Sequence, residues 1–176
     1  MNIVVFGSSR PLPGEPDYVN AYNLGKLIAQ DGGTTITGGY MGTMEAVSTG
    51  ANEAGGHVIG VTCRQIETWR EAKANRWVKE EISCNTLTER LEELISRCEA
   101  AIALPGGPGT LAEISLFWNL LVVQAMPPKP LILVGANWKK VFTVFKQELG
   151  IYNNPHNWEV LLFASNVNEA YALINK

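Results

Sequence analysis

At 176 residues, with 46% hydrophobic and 18% charged side chains, the chain has the length and balance of one globular domain and not of a disordered segment. Fourteen Lys and Arg against seventeen Asp and Glu leave a net charge of -3 with the basic residues scattered, which argues against a nucleic-acid partner. Cys63, Cys84 and Cys98 lack paired short spacings and read as reduced thiols, not as a disulfide framework or a metal site; with no leader pattern at the start and no apolar run of about 18 residues, a cytoplasmic protein without a membrane partner is expected.

Short apolar runs ending in glycine or small polar residues alternate with longer segments of helical period, which is the mark of βα units around a parallel sheet. The first run predicts a strand over 3–6 that ends in Gly7-Ser8-Ser9, followed by a helix over 17–30. A strand over 34–37 runs through Gly38-Gly39-Tyr40-Met41-Gly42-Thr43 into a helix over 43–54, and a strand over 57–61 precedes a helix over 85–98. The strand predicted over 100–104 enters Pro105-Gly106-Gly107-Pro108-Gly109-Thr110 and a helix over 110–124. Strands over 130–134 and 160–163, with helices over 138–149 and 167–174, complete the chain.

Val4, Val5, Ile102 and Leu104 sit in nearly continuous apolar runs, as strands covered on both faces do. The expected fold is therefore α/β: a Rossmann-like, doubly wound three-layer sandwich with a parallel sheet of about six strands, in one domain spanning 1–176. Such sheets bind ligands beyond the carboxyl ends of their strands, where strand order reverses. If the first and fourth predicted strands flank that point, the loops starting at Gly7 and Pro105 face each other. The helix over 110–124 is apolar on nearly all sides, so either a second subunit or the C-terminal helices must cover it.

Three loops lie at strand ends: Gly7, Ser8 and Ser9; Gly38, Gly39, Gly42 and Thr43; and Gly106, Gly107, Gly109 and Thr110. Small residues before a helix N-terminus leave backbone N–H groups free for an anion, so together the loops outline a cradle for a phosphorylated small molecule, although glycines also simply make tight turns. None has the spaced glycines of a dinucleotide fingerprint or the lysine of a P-loop. Arg10 either charges that cradle or is an ordinary exposed arginine. Glu113, one turn into an apolar helix, either meets a sugar or a developing cation, or closes a capping box with Thr110. Arg90 falls on the shoulder of the stripe formed by Leu87, Leu91, Leu94, Ile95 and Cys98; it points toward the site or snorkels to Glu93 or Glu89.

The run Pro105-Gly106-Gly107-Pro108-Gly109-Thr110-Leu111-Ala112-Glu113 resembles the PGGxGTxxE motif of the LOG ("Lonely guy") family, long labelled possible lysine decarboxylases. The resemblance extends from Ile3 to Val134 and takes in the Gly7-Ser8-Ser9 loop and Met44-Glu45-Ala46-Val47. It implies a nucleotide phosphoribohydrolase, often dimeric, that needs no cofactor and binds a nucleotide or phosphate. It implies Arg90 and Glu113 as the catalytic pair, with the arginine often supplied by the neighbouring subunit. In the family that arginine is usually followed by lysine, whereas Leu91 follows here, and Tyr40 stands where a third glycine is expected. These departures resemble relatives that carry the molybdenum cofactor without cleaving a bond. The decarboxylase label lacks a catalyst, because Lys26, Lys73, Lys79, Lys129, Lys139, Lys140, Lys146 and Lys176 all fall outside the three loops. His57 and His156 read as a strand-start and a surface-loop residue.

Overall fold

The computed structural model describes residues 1–174. The chain alternates strictly as β1 (Asn2–Phe6), α1 (Pro16–Gln30), β2 (Thr34–Thr37), α2 (Thr43–Glu53), β3 (His57–Cys63), α3 (Arg64–Arg70), β4 (Glu80–Cys84), α4 (Leu87–Ser96), β5 (Ala100–Ala103), α5 (Pro108–Val122), β6 (Leu131–Val134), α6 (Ala136–Leu149), β7 (Leu161–Ala164) and α7 (Val167–Leu173). All strands pair in parallel in the order β4-β3-β2-β1-β5-β6-β7. The sheet thus has seven strands, one more than the six the sequence predicts.

The extra unit is α3 with β4. β4 reads Glu-Glu-Ile-Ser-Cys and α3 buries none of its residues, so neither carries an apolar period. β4 is an edge strand whose place is fixed by its ladder with β3, which runs from Ile59↔Glu80 to Cys63↔Cys84. Strand geometry splits the core in two, because successive side chains point to opposite faces. Val4 and Phe6 join Leu94, Ile114, Phe117 and Phe142 on the α4–α5–α6 face. Ile3, Val5, Ile102 and Leu104 join Leu24, Ile28, Val47 and Ala170 on the α1–α2–α7 face.

β1 lies between β2 and β5, so the strand order reverses there. This is the pair of strands expected to flank the crevice, and Leu104 N–H continues the β1–β5 ladder by donating to Phe6 O at 2.9 Å. The apolar helix α5 is only partly covered in cis. Phe117 packs edge-on to Phe6, and Trp118 packs on Phe142, Phe145 and Trp158 while donating its Nε1–H to Asn157 O at 2.7 Å. Leu111 and Val123 remain exposed. Among the described residues, no helix is long and apolar enough to cross a membrane.

Candidate functional site

A cavity of about 410 Å³ opens beyond the carboxyl ends of β1 and β5, within the size range of small-molecule sites. Gly7, Ser8 and Ser9 form one wall, Gly107, Pro108, Gly109 and Thr110 another, and Arg90 with Glu113 closes it. The two loops therefore do face each other. The first loop does not run directly into a helix, because α1 begins only at Pro16.

The second loop stands behind the cavity and does not line it, apart from Tyr40 and the following Met44. Thr43 is spent on structure: its backbone N–H and its hydroxyl both donate to Ser8 O, at 2.9 and 3.0 Å. Gly42 takes a positive φ of 73° and sits so close to Ser8 and Ser9 that a side chain there would enter their backbone. Gly39 donates its N–H to Thr37 Oγ1, and a Cβ on Gly38 would overlap the Arg90 guanidinium. Gly106 borders an adjoining depression with Arg10 and Pro105. By contrast, nothing lies within 4 Å of where a Cβ on Gly107 or Gly109 would be, so both present bare backbone to open space.

Arg90 and Glu113 meet within one chain, Nη1 to Oε1 at 3.5 Å, and each residue is only 7% exposed. α4 starts at a capping box in which Thr86 Oγ1 accepts from Glu89 N–H and Glu89 returns the bond to Thr86 N–H, which sets Arg90 one turn inside the helix. Its Nε–H donates to Val61 O at 2.8 Å, in the space Gly38 leaves. Neither alternative partner is used, since Glu89 closes the cap and Glu93 pairs with Arg97. Glu113 does not close a capping box with Thr110 either, because α5 starts at Gly107-Pro108 without a side-chain cap and puts both residues inside the helix. Burial pushes the Glu113 carboxyl up to about 7, and Arg90 offsets part of that rise.

Sequence reasoning missed Arg70, Trp69 and Ile66, which reach the cavity from α3. Tyr40 is the hub between them and Arg90. Its buried hydroxyl accepts from Cys63 N–H at 2.7 Å, and its ring carries the Arg70 guanidinium at 5.1 Å and that of Arg90 at 5.8 Å from the centroid. No local pattern marks α3, and only its link through Tyr40 and Ser9 ties it to the site. None of the described lysines lines the cavity, and Lys176 lies outside the described residues. His57 starts β3 and faces Glu80, and His156 pairs with Glu159 on the surface.

The chain is thus a Rossmann-like protein with a switch-point crevice bordered by open glycine backbone, lined by arginines and closed by a buried carboxyl. The comparisons narrow that class. Residues 1–154 match the model of the SLOG cluster4 family, and the chain belongs to that family. A probable cytokinin riboside 5'-monophosphate phosphoribohydrolase from Oryza sativa subsp. japonica is 37% identical over 112 residues, 61% of this chain and 48% of that one. A cytokinin riboside 5'-monophosphate phosphoribohydrolase from Mycobacterium tuberculosis is 36% identical over 100 residues, 56% of this chain and 52% of that one. The chain thus spans about half the length of these curated relatives. Among solved structures, the molybdenum cofactor binding protein of Rippkaea orientalis superimposes with a TM-score of 0.75 at 28% identity, over 99% of this chain and 94% of that one.

Proposed function

We propose that the protein hydrolyses the N-glycosidic bond of a nucleoside 5'-monophosphate, such as adenosine monophosphate or a cytokinin riboside monophosphate, to the free base and ribose 5-phosphate. The observation that carries this reading is the buried Glu113 carboxyl, held beside Arg90 in an arginine-lined cavity and ionising near neutral pH. A carboxylate in that setting is suited to a sugar that becomes cationic. As the C1′–N bond breaks, its electron pair goes to the base, which takes up a proton, and water supplies the hydroxyl to C1′. The Glu113 carboxylate stabilises the oxocarbenium-like ring, and Arg90 holds that carboxylate in place. The free N–H groups at the start of α5, near Gly107 and Gly109, with Ser8 and Ser9, take the phosphate. No cofactor takes part. The relatives named as phosphoribohydrolases support this assignment, and with it we read the protein as a cytoplasmic homodimer or larger homo-oligomer.

A second reading, a non-catalytic carrier of the molybdenum cofactor, is favoured by the similarity to the Rippkaea orientalis protein over 99% of the chain. The arginines and open glycine backbone suit the phosphate end of that cofactor, which Ser8, Ser9, Gly107 and Gly109 would hold. Incubation with adenosine monophosphate, followed by chromatography for adenine, separates the two. Release of adenine that Glu113→Gln abolishes supports the hydrolase. Nucleotide binding without any release of base by the wild type supports the carrier.

A further inference from the structure

The cavity is electrostatically lopsided in a chain that is acidic overall. Three arginines, Arg10, Arg70 and Arg90, line it against one carboxyl, Glu113, and only Arg90 has an acidic partner within salt-bridge reach among the described residues. Arg70 is the one set up to receive a ligand. Its Nη1–H donates to Ser9 Oγ at 3.3 Å, its guanidinium lies on the Tyr40 ring, and its Nε–H is buried with no acceptor. A buried donor without a partner carries the full cost of its lost hydration, so such groups persist mainly where something else completes them. The ring and Ser9 fix the plane of the fork, and the missing partner is an acceptor that can take more than one N–H.

We infer that Arg70 and Ser9 form the subsite that recognises the terminal phosphate dianion of the ligand, making Arg70 the residue that separates a phosphomonoester from its unphosphorylated counterpart. A phosphate offers oxygens to a planar fork in the paired geometry that an alcohol cannot. The subsite has a structural corollary: Tyr40 carries both Arg70 and Arg90, so the group that grips the phosphate and the group that holds Glu113 share one rigid support. The assignment deepens the proposed function by naming the specificity-determining residue, and it holds for either reading of that site.

The test uses ribose 5-phosphate and ribose as paired probes, so that no base and no turnover are required. Isothermal titration of the wild-type protein is expected to detect ribose 5-phosphate and to find ribose far weaker. Arg70→Gln is expected to lose roughly 10- to 100-fold in affinity for ribose 5-phosphate, with ribose binding unchanged. Arg70→Lys, which keeps the charge but not the fork, recovers part of that loss, and Ser9→Ala loses less than Arg70→Gln. Melting curves without ligand establish that each variant is folded; should Arg70→Gln not fold, Arg70→Lys and Ser9→Ala carry the comparison. Unchanged discrimination in the folded variants overturns the subsite even if adenosine monophosphate is still cleaved. An equal loss for both probes makes Arg70 merely structural, and a wild-type protein indifferent to ribose 5-phosphate overturns it as well. Failure to release adenine, with phosphate discrimination intact and dependent on Arg70, counts only against hydrolysis.

Discussion

Glu113 is the residue in which stability and chemistry pull in opposite directions. Its carboxyl ionises near 7 in the fold, against 4.5 for an ordinary glutamate, so the folded state holds a proton that the unfolded chain has already released. Stability therefore falls as pH rises from 4.5 to 7, by roughly 3 kcal/mol in all. Below 4.5 both states are protonated and there is no penalty. Glu113→Gln should remove this slope, melting close to wild type at pH 4 and above it at pH 8. The same change should lower base release by about 100- to 1,000-fold. Wild-type kcat/KM should rise with pH and level off above 7, and a flat profile would show that the carboxylate form is not the working one.

Gly38 governs the other half of the pair. Its backbone angles suit any residue, but a methyl there would overlap the Arg90 guanidinium and crowd Met44. Gly38→Ala should cost about 1–3 kcal/mol and misplace Arg90, with base release reduced while the fold survives; melting and turnover measured together check it. The reason Arg90 was ambiguous in the sequence is visible here. It is more deeply buried than Leu87 or Leu91, so the apolar stripe of α4 is completed by an arginine that a glycine in the loop after β2 makes room for. The facing loops could be read from spacing, whereas for Glu113 spacing left the capping box open as well. Arg70 and Tyr40 could not be read that way, because their roles rest on contacts between segments far apart in the chain.

Among elements, the buried strands and amphipathic helices were legible and α3 with β4 was not. β1, β5 and β6 are covered on both faces and so are written in apolar letters, whereas β4 at the edge needs only a ladder partner and tolerates Glu80 and Glu81. α5 illustrates the limit of composition as a guide to burial. Phe117 is fully enclosed against Phe6, whereas Leu111 on the same helix is open. Phe117→Ala should cost roughly 3–5 kcal/mol in denaturant unfolding, and Leu111→Ala about 0.5 kcal/mol or less. A large cost at Leu111 would mean that another chain covers it.

At the scale of the whole molecule, α6 likewise leaves Val141, Val144, Phe145 and Leu149 exposed. On the homo-oligomer reading, light scattering should report at least a dimer at micromolar concentration, and Phe145→Glu should dissociate it. A wild-type monomer would end that reading without touching the site, since Arg90 and Glu113 already meet in one chain.

The position of β1 also dictates an order of events during synthesis. β1 precedes the other strands of the sheet in the chain yet is the middle one of the finished sheet, and Ile3 must wait for Ala100 before its second edge is paired. Until residues 100–103 have emerged, the nascent chain carries β1 with one edge unpaired, shielded by α1 and α2 on one face but only by α4 on the face that α5 and α6 later complete. Nascent chains arrested before residue 100 should stay open to protease across β1 and lean on chaperones, and those arrested after α5 has cleared the exit tunnel should become protected in a single step.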